Sequence, residues 1–176
     1  MRTLPTLLLA TLVVLIAGCR SAPNNYHTLV SAQPSRSEGE RILVERVSLP
    51  PQVDRAQLVI RQGVNGLVIL ETEWWGANLV DELRSALQDQ LGGPVGGPPH
   101  ALLRVDVQRF DSVPGQYALL AAVWRLKRPG QEELTCRTSV QTPAQNSIAS
   151  LVSAQQVNLQ KLANAVRASA SGCPAL

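Results

Sequence analysis

The chain of 176 residues is poor in the side chains that most chemistry needs. It has two histidines, and its aromatics are three Trp, two Tyr and one Phe. His27 and His100 have no metal-ligating partner at a recognisable spacing, so both read as solvated and no metal or cofactor is expected. No Gly-x-Ser-x-Gly elbow, His-Glu-x-x-His pair or Gly-x-Gly-x-x-Gly loop occurs. Asp54, Arg55 and Asp106 could be drafted as acid or base, but charges in loops and on strand faces are the ordinary case. No catalytic residue is assigned, and the chain reads as a non-enzyme. Strong charge of one sign is lacking too: 16 Lys and Arg stand against 13 Asp and Glu. The basic residues are scattered, which excludes a nucleic-acid partner. The glycine-rich loop from Gly92 to Pro99 has neither a helix behind it nor the lysine of a phosphate cradle. No apolar run approaches the roughly 20 residues of a membrane-crossing helix.

What is present begins at the N-terminus. Arg2 precedes the apolar run Leu7 to Ile16, the charged and hydrophobic regions of a secretory signal. The run ends in Leu15-Ile16-Ala17-Gly18-Cys19, which resembles the lipobox of bacterial lipoproteins, with Ile16 where Leu is commoner. The resemblance implies cleavage before Cys19, a diacylglycerol on its sulfur and an acyl chain on the new N-terminus. Together these chains suffice for stable anchoring. Arg20 stands where an Asp would signal inner-membrane retention, so the inner leaflet of the outer membrane is favoured. Removing residues 1–18 leaves 158 residues, enough for one domain with a sizeable core, and a net charge of about +2. Cys136 and Cys173 then remain, as a disulfide in an oxidising periplasm or as two buried thiols. A disulfide would close a loop of about 37 residues and contribute roughly 3 to 4 kcal/mol.

Residues 19–40 are polar and read as a lipidated tether, interrupted by Tyr26-His27-Thr28-Leu29, which is a candidate edge strand. Twenty flexible residues would span an r.m.s. distance of about 25 Å. The domain is expected over residues 41–176. Strands are predicted over 41–49, 57–62 and 67–71, the last two at hairpin spacing across Gly63-Val64-Asn65-Gly66. From Asn78, an apparent N-cap, apolar Leu79, Val80, Leu83, Ala86, Leu87 and Leu91 recur at helical spacing. Asp81, Glu82, Arg84, Ser85, Gln88 and Asp89 take the other face, and Gly92-Gly93-Pro94 ends the helix. Leu103, Val105 and Val107 alternate with polar residues as a half-exposed strand. Residues 117–126 are apolar on both faces, as in a central strand covered on both sides. After Pro129-Gly130, Leu134, Cys136, Thr138 and Val140 share a strand face. Thr142-Pro143-Ala144-Gln145 resembles a helix start. It leads into a stripe of Ile148, Leu151, Val152, Gln155, Leu159, Leu162, Ala163 and Val166, with Gly172 and Pro174 as the stop. The order of three strands, helix, three strands, helix predicts a single α/β domain with a mixed β-sheet and two main helices.

Four stretches resemble the auxiliary lipoproteins of ABC-type and MCE-type intermembrane transport systems. Tyr26-His27-Thr28-Leu29 resembles a Y-Y-x-L strand. Val47-Ser48-Leu49-Pro50-Pro51-Gln52-Val53-Asp54-Arg55-Ala56-Gln57-Leu58-Val59-Ile60-Arg61 resembles the family's L-P-x-x-x-D-R-x-Q-L-V-x-R signature. Trp75-Gly76-Ala77-Asn78-Leu79 resembles W-A-x-P-L at the first long helix, with Gly76 for Ala and Asn78 for Pro. Val105-Asp106-Val107-Gln108-Arg109-Phe110-Asp111 resembles a V-x-V-x-x-F strand. The resemblance implies a three-layer α/β domain without catalysis, accompanying a permease, an ATPase and an MCE protein that move phospholipid-like substrates. Trp74 and Trp75 read as a cap on the following helix or as a contact to protein or lipid. Partner contact or homo-oligomerisation is expected at Asp54, Arg55, Leu58, Arg61, Trp75 and Leu79. The alternative is a structural lipoprotein that helps assemble the outer membrane without a transporter. Direct lipid carriage would need an apolar cavity.

Overall fold

The computed structural model describes residues 22–32, 41–92, 98–170 and 172–174. The signal peptide, Cys19 and the Gly93–Gly97 part of the predicted loop lie outside them. Among the described residues, seven strands and two helices make one α/β domain: β1 (Asn25–His27), β2 (Ile42–Ser48), β3 (Gln57–Gln62), β4 (Gly66–Trp75), α1 (Leu79–Gln90), β5 (Ala101–Val113), β6 (Tyr117–Lys127), β7 (Leu134–Pro143) and α2 (Ile148–Arg167). The strands divide between two mixed sheets, ordered β1-β4-β3 and β2-β5-β6-β7. In each, one pair is parallel, β1 with β4 and β2 with β5, and the rest are antiparallel.

Burial alternates along the larger sheet except at one skipped residue in each of two strands and at the continuously buried run Phe110 to Ser112. In β2 the buried residues are Ile42, Val44 and Val47, and in β5 they include Val105, Val107 and Phe110. Both patterns skip one residue where the ladder slips, at Val44/Arg46 and Val107/Arg109. An extra residue is what a β-bulge inserts, and it returns the next apolar side chain to the core face. The V-x-V-x-x-F motif is therefore a bulge signature. It turns Phe110 inward, where its ring meets the edge of Trp75 at a centroid distance of 6.4 Å.

Both helices cover the same face of the larger sheet, α1 over β2 and α2 over β6 and β7. On β6, Ala118, Leu120, Ala122, Trp124 and Leu126 are buried, whereas Leu119, Ala121 and Val123 are only half-buried. The expectation that this strand is covered on both sides is corrected: the second face is bordered by long polar side chains such as Arg104, Arg125 and Arg137 rather than by another helix layer. The three-stranded sheet is the remaining unit, joined through β3 to the bulged half of β5.

Three local readings also change. Strand β7 runs on through Pro143, paired with Tyr117, so Thr142 and Pro143 do not open the helix. Pro143 is its last residue, a place where a missing N–H costs little. Ser147 caps α2 instead, accepting from the Ser150 N–H, while the Ser150 hydroxyl accepts from the Gln145 N–H. Asn78 occupies the N-cap position of α1 without a side-chain cap bond. Finally, Glu82 and Gln88 do not lie on a solvent face. Gln88 receives the Val44 N–H at 2.8 Å and donates to the Ile42 carbonyl at 3.0 Å, docking α1 on β2.

The predicted stripe of α2 is buried along its length except at half-buried Ile148. The buried face of the helix carries two fully buried amides, Gln155 within that stripe and Asn158, which the stripe did not include. Gln155 donates to the Asp111 carbonyl at 3.0 Å. Asn158 donates to the Ala118 carbonyl at 3.0 Å and to Gln155 Oε1 at 3.1 Å, and accepts from the Thr142 hydroxyl at 2.7 Å. This network ties the ends of β5, β6 and β7 to one helix. Cys136 and Cys173 are bonded to each other with a Cα separation of 5.5 Å, which staples the segment after α2 to β7.

Because a buried group left without its partner costs about 1 to 3 kcal/mol, and Asn158→Ala strands more than one, this variant is expected to lose about 2 to 4 kcal/mol in urea unfolding. Cys136→Ser is expected to lose about 3 to 4 kcal/mol by the same measurement, given the loop it opens.

Candidate functional site

The N-terminal segment is held by contacts of several kinds. Leu29 is 2% exposed and joins the main core cluster, a burial that contributes about 2 kcal/mol. The Glu82 carboxylate, itself 6% exposed in the first turn of α1, accepts from the Thr28 hydroxyl at 2.7 Å and the Leu29 N–H at 2.8 Å. The Gly76 N–H donates to the His27 carbonyl at 2.8 Å. A Cβ on Gly76 would stand 3.1 Å from Glu82 Oε1, so glycine here leaves the carboxylate the room it uses. From α2, the Gln156 amide reaches the Thr28 carbonyl at 3.0 Å.

On β4, Glu73 accepts from Asn25 at 2.8 Å and lies 2.6 Å from His27 Nε2. A carboxylate at neutral pH only accepts, so that nitrogen carries the proton. His27 is therefore a partly buried structural residue, which corrects its reading as solvated. The hydrogen bond from His27, aided by that from Asn25, holds the Glu73 carboxyl below its ordinary value of 4.5 against the opposing effect of burial.

The expected tether is thus not uniform. Residues 25–30 belong to the fold, and only residues 20–24 separate Cys19 from β1. The chain between those points spans at most about 20 Å, whatever its conformation.

The six residues expected at a partner surface are dispersed by the structure. Leu58, Trp75 and Leu79 are 4%, 5% and 2% exposed and belong to the core, so the expectation that they touch a partner is corrected. Trp75 ends β4 with its N–H on the Ala56 carbonyl, and its neighbour Trp74 donates from its indole to the Glu71 carbonyl. Arg61 is half-buried and paired with Asp111 at 2.7 Å. Arg109 binds the second oxygen of the same carboxylate at 2.5 Å. Since Gln155 holds the Asp111 carbonyl, this one residue joins β3, β5 and α2. Asp54 is exposed and Arg55 half-exposed on the turn that follows Pro50, whose carbonyl accepts from the Val53 and Asp54 N–H groups. They remain available for contact.

A groove of about 570 Å³ opens on the uncovered face of the larger sheet, lined by Glu45, Arg46, Ser48, Arg104, Asp106 and Arg125 among others. Arg104 bonds Glu45 at 2.6 Å and Ser48 bonds Asp106 at 2.9 Å. Its charged walls do not suit an acyl chain. Among the described residues no group of three His, Cys, Asp or Glu side chains is placed to hold a metal ion.

These features define a class: an α/β domain with its first strand pinned a few residues behind a lipobox-like cysteine. The family described as ABC-type transport auxiliary lipoprotein component matches residues 27–167, and the chain belongs to it. Among solved structures, one described as an uncharacterized protein superposes with a TM-score of 0.68 at 18% identity, covering 84% of this chain and 98% of that one. Protein XCC0632 from Xanthomonas campestris, of family DUF330, gives a TM-score of 0.58 at 15% identity, covering 82% and 91%. At such identities the likeness is one of fold. A comparison with curated proteins finds no match.

Glu73, Glu82 and Asp111 were not among the residues expected at a site. Acidic residues in a first helical turn are explained by the helix dipole alone, which hid the role of Glu82. Leu29→Ala is expected to raise the rate of proteolysis within residues 22–32 severalfold while leaving the domain folded. Because the folded value of Glu73 is depressed, its contribution is complete above 4.5 and is lost as pH falls through the lowered value. Amide exchange at Tyr26 and His27 should accelerate over that acidic range, and Glu73→Gln should remove this step.

Proposed function

We propose that the protein is a lipid-anchored envelope subunit, carrying a diacylglycerol and an N-acyl chain on Cys19. It accompanies an ABC/MCE-type system whose permease, ATPase and MCE protein move phospholipid-like substrates between membranes. The family match across the folded domain is the observation that carries this reading. The disulfide supports the anchor assignment. With Cys136 and Cys173 bonded to each other, Cys19 is the remaining one of three cysteines. The domain works on the periplasmic face by protein contact, contributing to envelope integrity, and the outer membrane is favoured by Arg20 behind the cysteine.

Contact with transporter subunits is assigned to the exposed part of the signature turn, Asp54 and Arg55, with half-buried Arg61 beside it. Homo-oligomers are compatible with the same surface. Of the residues that the core withdraws from this role, Trp75 holds the Ala56 carbonyl just after the turn.

In cells, Cys19→Ser is expected to abolish incorporation of labelled palmitate and to release the protein from the membrane fraction. Unchanged labelling would contradict the anchor. Affinity purification of the acylated chain should recover MCE protein, permease and ATPase together. Asp54→Lys combined with Arg55→Glu should reduce that recovery at least severalfold without altering the unfolding midpoint. Recovery of outer-membrane assembly proteins in place of transporter subunits would favour the structural alternative.

A further inference from the structure

The exposed apolar residues of the domain are unevenly distributed. Of the five large hydrophobic side chains that stand exposed among the described residues, Tyr26 at 67%, Val64 at 91%, Leu67 at 42% and Ile69 at 45% belong to the three-stranded sheet and its hairpin. The ladder shows which of them share a face. Tyr26 lies across from Trp74, and Trp74 across from Gln57. Val59 lies across from Ile69, and Arg61 across from Leu67. Cross-strand partners project to the same side, and Gln57, Val59 and Arg61 alternate along one face of β3. The irregularity between Gln57/Trp74 and Val59/Ile69 leaves four residues of β4 opposite one of β3. This returns Trp74 to the side of Ile69 and Leu67. Tyr26, Trp74, Ile69 and Leu67 therefore share one side of the sheet with Gln57 and Arg61, while Leu58 and Trp75 go into the core and Val59 packs against it.

This face begins at the residue next to the end of the lipid leash. Five residues separate Cys19 from Asn25, so an anchored chain cannot carry β1 more than about 20 Å from the acylated cysteine. Trp and Tyr favour the boundary between headgroups and acyl chains, where an apolar ring and a polar edge are both satisfied. A contiguous apolar patch on an otherwise polar surface marks a place that something covers.

We propose that the outer face of the β1-β4-β3 sheet rests on the phospholipid surface that holds the anchor, with Tyr26 and Trp74 in the headgroup layer and Ile69 and Leu67 beside them. The short leash then acts as a second binding element: it holds the patch at high effective concentration over the bilayer. This rests on acylation of Cys19, and the test separates the two.

The full acylated chain, reconstituted in phosphatidylethanolamine and phosphatidylglycerol vesicles, is titrated with phospholipid brominated near the top of its acyl chains. Bromine should quench tryptophan emission through Trp74, because Trp75 and Trp124 are buried. Trp74→Phe should remove most of that quenching, and Ile69→Asp, at an exposed position, should reduce it severalfold. A twenty-residue Gly/Ser insertion between Ser21 and Ala22 lengthens the leash from about 5 to about 25 residues and should lower the effective concentration roughly tenfold, with quenching falling accordingly. Quenching that is absent, or indifferent to both substitutions and to the insertion, overturns the proposal. So does cross-linking of Tyr26 to a second copy or to a transporter subunit with no bromine effect, since a protein then covers the face. An intact mass lacking the acyl chains defeats the anchor reading itself, a result distinct from an acylated protein whose Trp74 is not quenched.

Discussion

The capture of the N-terminal strand by two carboxylates is the constraint on which the rest depends. Glu82 receives Thr28 and Leu29 from within the first turn of α1, and Glu73 receives Asn25 and His27 from β4. Neither contact is strong alone, since a hydrogen bond to a charged group contributes about 1.5 to 3 kcal/mol net. Their consequence is geometric. They convert what composition describes as a loose tether into an edge strand, and leave five residues between fold and cysteine. For a protein that works at a membrane, this decides whether the domain roams or stays close to the surface.

The remainder of the structure supports that capture. The turn after Leu49 carries the chain from the larger sheet to β3, Arg61 fastens β3 to Asp111, and the bulge at Val107/Arg109 turns Phe110 towards Trp75. Gln155 and Asn158 hold the same corner from the helix side. The motifs that the chain shares with its family are thus in large part instructions for folding. Leu58, Trp75 and Leu79 are core residues, and Asp54 and Arg55 are what the signature leaves exposed.

Much of the fold was legible from periodicity. The α2 stripe, the hairpin across Gly63 to Gly66 and the inward Cys136 follow from residue spacing, because burial on one face repeats at 3.6 or 2 residues. What period could not show were the places where two elements share a residue's polar atoms. Thr142-Pro143 has the composition of a helix start, yet pairing with β6 carries it as strand. Glu82 has the composition of an exposed first-turn acid, yet a segment more than fifty residues away supplies its donors. The division into two sheets was hidden for the same reason, since it depends on which strands pair and not on what each contains. The candidate contact residues were legible as a motif, but a motif does not distinguish side chains that build a surface from those that present it.

The most direct test of this account is the distance between the domain and the bilayer. Neutron reflectometry of the acylated protein on a supported phospholipid bilayer measures the hydrated gap beneath the protein layer. With β1 docked, protein density should begin at the headgroups or within the roughly 20 Å reach of residues 20–24. Glu82→Ala with Leu29→Ala should widen and blur that gap. A wild-type layer standing off by a broad, water-filled gap, as a flexible link of some twenty residues would allow, would contradict the account.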